Sequence, residues 1–253
     1  MKKIFLNLII ISSVLLVSCT KEETKKADPI NGSTTTNLNI TFNNTVAGIP
    51  LQIKDTQFTN AASNKYTVTI LKYYVTNISL VDENNNEFFA KNYNLIDIEE
   101  PLQNTISIKN IPTGKYTKMK FILGVDSLRN TSGLQDGFLD PSYGMIWTWN
   151  TGYIFYKHEG RYTSAFDGVK PLRLHLGTSP ARGYVQVALP TINIGNSANN
   201  LTIDFDLNKV YAAKKIIDFN IDNDRQSSDA ADATWIANMK VNLENSFTFG
   251  KVQ

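Results

Sequence analysis

The chain has 253 residues, 25 Lys and Arg against 23 Asp and Glu, a length that suits one sizeable β domain or two small ones. Removing residues 1–18 takes out Lys2 and Lys3 and leaves 23 charges of each sign. A neutral body has no long-range field to gather phosphate backbones, which excludes nucleic acid as an expected partner. A hydrophobic content of 42% with 11% aromatics excludes disorder for the body of the chain.

Met1-Lys2-Lys3 precedes an apolar run at 4–17 (IFLNLIIISSVLLV), which reads as a secretory signal peptide and is too short for a permanent membrane span. The single cysteine, Cys19, leaves an exported fold without disulfides and without a cysteine-based zinc or iron–sulfur site. Leu16-Val17-Ser18-Cys19 resembles a bacterial lipobox, so cleavage before Cys19 and acylation of its thiol are expected. Several acyl chains, at ~0.8 kcal/mol per buried CH₂, make a stable anchor. The expected location is the outer membrane, facing the periplasm or on the cell surface, and Lys21-Glu22-Glu23 resembles a surface-export signal.

In chain order, residues 1–18 are the signal peptide, 19–36 a lipidated polar tether, and 37–253 one domain. Leu38, Ile40 and Phe42 alternate with polar residues, and Tyr66–Leu80 is a long β-branched and aromatic run. Met119, Phe121, Leu123 and Val125 share one parity. Gly124–Asp140 is a polar stretch with Asp126, Asp136 and Asp140, read as a loop that is functional or needs an ordering device. Tyr143–Gly160 then packs Met145, Trp147, Trp149, three tyrosines and His158 into one segment. Read as a strand, it turns Met145, Trp147 and Trp149 to one face. Leu172, Leu174 and Leu176 take one face of the next strand and Arg173 with His175 the other, so His175 is not simple core filling. Leu201, Ile203, Phe205 and Leu207 alternate with Thr202, Asp204 and Asp206. The one convincing helix lies late, at Asp229–Asn242, with Trp235, Ile236 and Met239 as its apolar stripe. Turn residues at sandwich-like spacing make the fold class all-β, an antiparallel β-sandwich with one late helix.

Most catalytic chemistries lack their parts. There is no glycine-rich phosphate loop, no His-Glu-x-x-His and no cysteine left after lipidation. A carboxylate hydrolase would draw on Asp126, Asp136, Asp140 and Glu159. The same three aspartates suit calcium or another means of ordering the loop, such as backbone N–H contacts. A non-enzymatic binding protein is the expected class.

Tyr66-Thr67-Val68-Thr69, Leu71–Ile78, Gly124-Val125-Asp126-Ser127, Trp147-Thr148-Trp149-Asn150-x-Gly152-Tyr153, Lys157-His158-Glu159-Gly160 and Leu174-His175-Leu176-Gly177 follow one another in an order that resembles the MbnP-like copper-binding proteins. The resemblance runs from about Leu38 to Phe249, and the tryptophan block is its specific part. It relates the chain in function to MopE-type proteins. It also implies a partner di-haem cytochrome c peroxidase of the MauG type that oxidises a tryptophan to kynurenine. By the same resemblance, copper would be held by His175 and by the product of Trp147 or Trp149, with His158 and Met145 as further candidates. The competing reading is a surface lipoprotein module that binds a glycan or a protein, with structural calcium at Asp126, Asp136 and Asp140.

Overall fold

The computed structural model describes residues 34–148, 150–195, 200–227 and 230–252. The predicted signal peptide, Cys19, most of the tether and Trp149 lie outside the described residues. The strands are β1 (Thr35–Val46), β2 (Ile49–Pro50), β3 (Phe58–Thr59), β4 (Lys65–Asp82), β5 (Glu87–Asp97), β6 (Thr105–Pro112) and β7 (Gly114–Leu123). They continue with β8 (Ile154–Ser164), β9 (Gly168–Gly177), β10 (Gly183–Ile194), β11 (Asn200–Asp206), β12 (Asp224–Ser227) and β13 (Phe247–Val252). Helices are α1 (Ser127–Thr131), α2 (Leu207–Val210) and α3 (Ala233–Glu244). Among the described residues no helix is long and apolar enough to cross a membrane.

One sheet runs β13-β11-β1, with β2 and β6 also paired to β1; the other runs β10-β7-β4-β8-β9-β12, with β3 and β5 paired to β4. The predicted alternation is what closes them on each other. Leu38, Ile40 and Phe42 of β1 and Leu201, Ile203 and Phe205 of β11 are buried in one core cluster with Tyr73, Phe121 and Leu123 of the second sheet. Aromatic rings meet across the gap: Phe42 edge-on to Phe121 at 5.8 Å and Phe121 edge-on to Phe247 at 5.1 Å, with Tyr73 tilted against Phe205 at 4.8 Å between ring centres. Each fully buried Leu, Ile or Phe contributes roughly 1.5–3 kcal/mol. Trp235, Ile236 and Met239 of α3 are buried as the apolar stripe requires, and Leu243 extends it by a further turn.

Two predictions change in detail. The sandwich is not purely antiparallel, since β1 pairs with β11 and β9 with β12 in parallel. Alternation along a strand has the same period in either direction, so the pattern cannot report strand polarity. The segment at Tyr143–Gly160 is not one strand. Tyr143 closes a 3₁₀ turn, and residues 145–147 then pair antiparallel with 152–154, joined by Ile154 N–H to the Met145 carbonyl (2.8 Å) and Trp147 N–H to the Gly152 carbonyl (3.2 Å). Regular β structure resumes at Ile154.

β7 pairs along Val75–Asp82 of β4, and β8 along Tyr66–Tyr73. The chain between them therefore leaves near the middle of β4, where Gly124 N–H donates to the Tyr74 carbonyl at 3.0 Å. Gly124 has φ +117°, and a Cβ there would lie 2.6 Å from the Phe155 ring, so glycine is required at this exit.

Candidate metal centre

β8 and β9 are in continuous register from Tyr156 to Ser164, with Lys157 opposite His175, His158 opposite Leu174 and Glu159 opposite Arg173. The leucines Leu172, Leu174 and Leu176 face the core, as predicted, and Arg173, His175 and Gly177 face outward. His175 is nonetheless only 6% exposed. Its cover is Trp147, whose ring centre lies 6.3 Å from the imidazole at an interplanar angle of 49°. Gly177 completes the seat: a Cβ there would meet the Tyr153 carbonyl at 2.6 Å and the Trp147 ring at 2.8 Å, so the indole lies flush on bare backbone.

On the same outer face, His175 Nε2 is 2.8 Å from Glu159 Oε1. Lys157 Nζ stands 3.4 Å from that oxygen and 3.4 Å from the Gly144 carbonyl at the start of the tryptophan loop. Burial pushes the His175 pKa down, the Glu159 hydrogen bond opposes this and the Lys157 charge adds to it, with a net fall. Burial disfavours the Glu159 carboxylate, but Lys157 and His175 together hold its pKa below the ordinary value. A neutral imidazole beside an ionised carboxylate results at neutral pH.

His158 lies elsewhere. It is fully buried on the core face, Nδ1 bonded to the Tyr211 hydroxyl, with Tyr66 packed edge-on at 6.0 Å. The two histidines thus stand on opposite sides of one sheet and do not converge. Met145 is buried at 1% exposure at the base of the loop. The three aspartates do not meet either. Asp126 caps α1 by accepting from Arg129 N–H (3.1 Å) and also accepts from Asn77 Nδ2 (3.2 Å) and the Tyr93 hydroxyl. Asp140 accepts from Ser142 N–H at 2.8 Å, while Asp136 is exposed and makes no cap bond. Among the described residues no group of three His, Cys, Asp or Glu is placed to hold a metal.

The loop is tied to the tryptophan segment by Asn130, which sequence reasoning did not single out, and by Tyr153 of the tryptophan block. Asn130 Oδ1 accepts from Tyr153 N–H (2.9 Å), and the Tyr153 hydroxyl donates to the Leu139 carbonyl (3.0 Å). Glu159 was legible only as a carboxylate without a partner. Its parity with Lys157 placed it on an outward face, but its pairing with His175 needed the β8–β9 register.

The residues present fit copper in part. One neutral imidazole is a suitable nitrogen ligand. An indole nitrogen is not, because its lone pair belongs to the aromatic ring, so the fit depends on a change to the tryptophan.

A two-sheet β-sandwich with a tryptophan-roofed histidine on its outer face is the class of protein defined by this geometry. The family model for MbnP matches residues 35–231, well over half the chain, and the chain belongs to the MbnP family. Among solved structures, MbnP from Methylosinus trichosporium is similar at 15% identity, with a TM-score of 0.52 over 72% of this chain and 80% of that one. At that identity the likeness shows the fold. The comparison with curated proteins gave no match.

Proposed function

We propose that this chain is a lipid-anchored, extracytoplasmic copper-binding protein in which His175 and a kynurenine derived from Trp147 hold the metal. The observation that supports this most is the pairing of the Trp147 and His175 rings, 6.3 Å apart, in a seat left open by Gly177. Opening the indole would replace a ring nitrogen that cannot ligate with an aniline nitrogen that can. The conversion inserts two oxygen atoms across the C2–C3 bond, drawn from two peroxide molecules that leave as two waters; hydrolysis then releases formate. A di-haem peroxidase is the partner that would activate the peroxide. Trp149 is the alternative target, two residues further along.

Copper, when bound, would supply a soft, redox-capable centre. His175 brings a nitrogen that is neutral at physiological pH, and the 5% exposure of Trp147 keeps bulk water from its ring. His158 takes no part, being held on the core face by Tyr211. The protein binds rather than catalyses, and acylated Cys19 holds it on the outer membrane.

Protein isolated from its native host should carry kynurenine at Trp147 or Trp149 but not at Trp235, read by peptide mass spectrometry. His175→Ala should then lose copper affinity without unfolding, because Leu172, Leu174 and Leu176 carry the burial of β9. Unmodified tryptophans in the native protein, or copper retention unchanged in His175→Ala, would overturn the proposal.

A further inference from the structure

We infer that Glu159 is the positioning residue of this site: it keeps a hydrogen on His175 Nε2, makes Nδ1 the metal-binding nitrogen, and through Lys157 ties the imidazole to the loop carrying Trp147. The inference rests on the copper reading and adds to it which nitrogen ligates and what holds it.

The charges on the outer face sort themselves by register. Arg173 is the direct cross-strand partner of Glu159, yet β12 brings Asp224 alongside Arg173, and the guanidinium is held bidentately by that carboxylate at 2.9 and 2.6 Å. Glu159 is left to the diagonal neighbour His175, at 2.8 Å. A carboxylate only accepts, so whether the imidazole is charged or neutral, the nitrogen facing Glu159 carries the hydrogen. Metal binding needs the neutral ring, and its lone pair then sits on Nδ1. A ligating histidine anchored in this way through its other nitrogen is a recurrent device, and losing the anchor costs about 10–100-fold in metal affinity.

Lys157 adds the second connection. Its ammonium stands 3.4 Å from Glu159 Oε1 and 3.4 Å from the Gly144 carbonyl, three residues before Trp147. One cation therefore holds the carboxylate that orients His175 and the backbone that leads to the tryptophan. Both ligands are set by one charge pair on the same face.

The tautomer can be read without metal. Long-range ¹⁵N NMR of the metal-free protein, with His175→Ala identifying the signal, should show His175 protonated at Nε2. Glu159→Gln, whose amide can donate or accept, should give a mixture of tautomers and weaken copper(I) binding by about 10–100-fold in oxidised protein, with the melting temperature unchanged. Lys157→Met should weaken binding less, and Glu159→Asp should restore part of it. An Nδ1–H tautomer in the wild type, or unaltered copper affinity in Glu159→Gln, would overturn the inference while leaving the copper reading intact. Failure of the oxidised wild type to bind copper would overturn both.

Discussion

His158 and His175 lie one register position apart on adjacent strands and point out of opposite faces of the sheet: Lys157 stands opposite His175, and Leu174 opposite His158. His158 is a core residue, and burial, aided by nearby His175, pushes its pKa from 6.5 to about 3. In the window between these values the unfolded chain binds a proton that the folded protein does not. His158 therefore contributes stability in full above pH 6.5, and the contribution is lost as pH falls toward 3. The whole shift is worth of order 5 kcal/mol. Denaturant melts across this range should show the loss, and His158→Gln, which can still accept from Tyr211, should flatten it. Equal slopes for wild type and variant would refute this assignment.

Asp126 orders its loop through hydrogen bonds within the chain. Burial works against its carboxylate, but bonds from Tyr93, the backbone of Arg129 and Leu128, and Asn77 outweigh this and lower its pKa. Asp126→Ala should destabilise the fold by about 1–2 kcal/mol, as loss of a helix cap does. Asp136→Ala should change little, within about 0.5 kcal/mol. Chelator should leave the melting temperature where it was; a clear drop would assign an ion to the loop.

Gly177→Ala should unseat Trp147. The added methyl has no room, with a backbone oxygen 2.6 Å away and the indole at 2.8 Å, and neither side can yield freely. A cost of about 1–3 kcal/mol is expected, with a red-shifted tryptophan emission and easier quenching. Gly114→Ala, where nothing lies within 4 Å of the new Cβ, is the control. Emission unchanged in Gly177→Ala would show that the indole does not rest there.

Cys19→Ala should convert the protein to a form that no longer enters the detergent phase in a phase-separation assay. Continued partitioning into detergent would remove the lipid anchor from the proposed function.

Periodicity determined most of the architecture by itself. Leu38-Ile40-Phe42, Met119-Phe121-Leu123 and Leu201-Ile203-Phe205 each had a buried face because alternation on a pleated strand leaves no other arrangement. The late helix followed from Trp235, Ile236 and Met239 at helical spacing, and the outward placement of His175 from its leucine neighbours. What needed the tertiary structure was everything that depends on which strand lies beside which. The parallel pairing of β1 with β11, the separation of His158 from His175 across a sheet, and the commitment of Arg173 to Asp224 are all relations between distant segments. The pairing of 145–147 with 152–154 escaped because the apolar alternation there imitates a strand, while Gly152 takes a positive φ of +103°. Glu159 shows the limit most directly. Its charge and parity are written in the chain, but a carboxylate acquires a partner only when register brings one within hydrogen-bond distance.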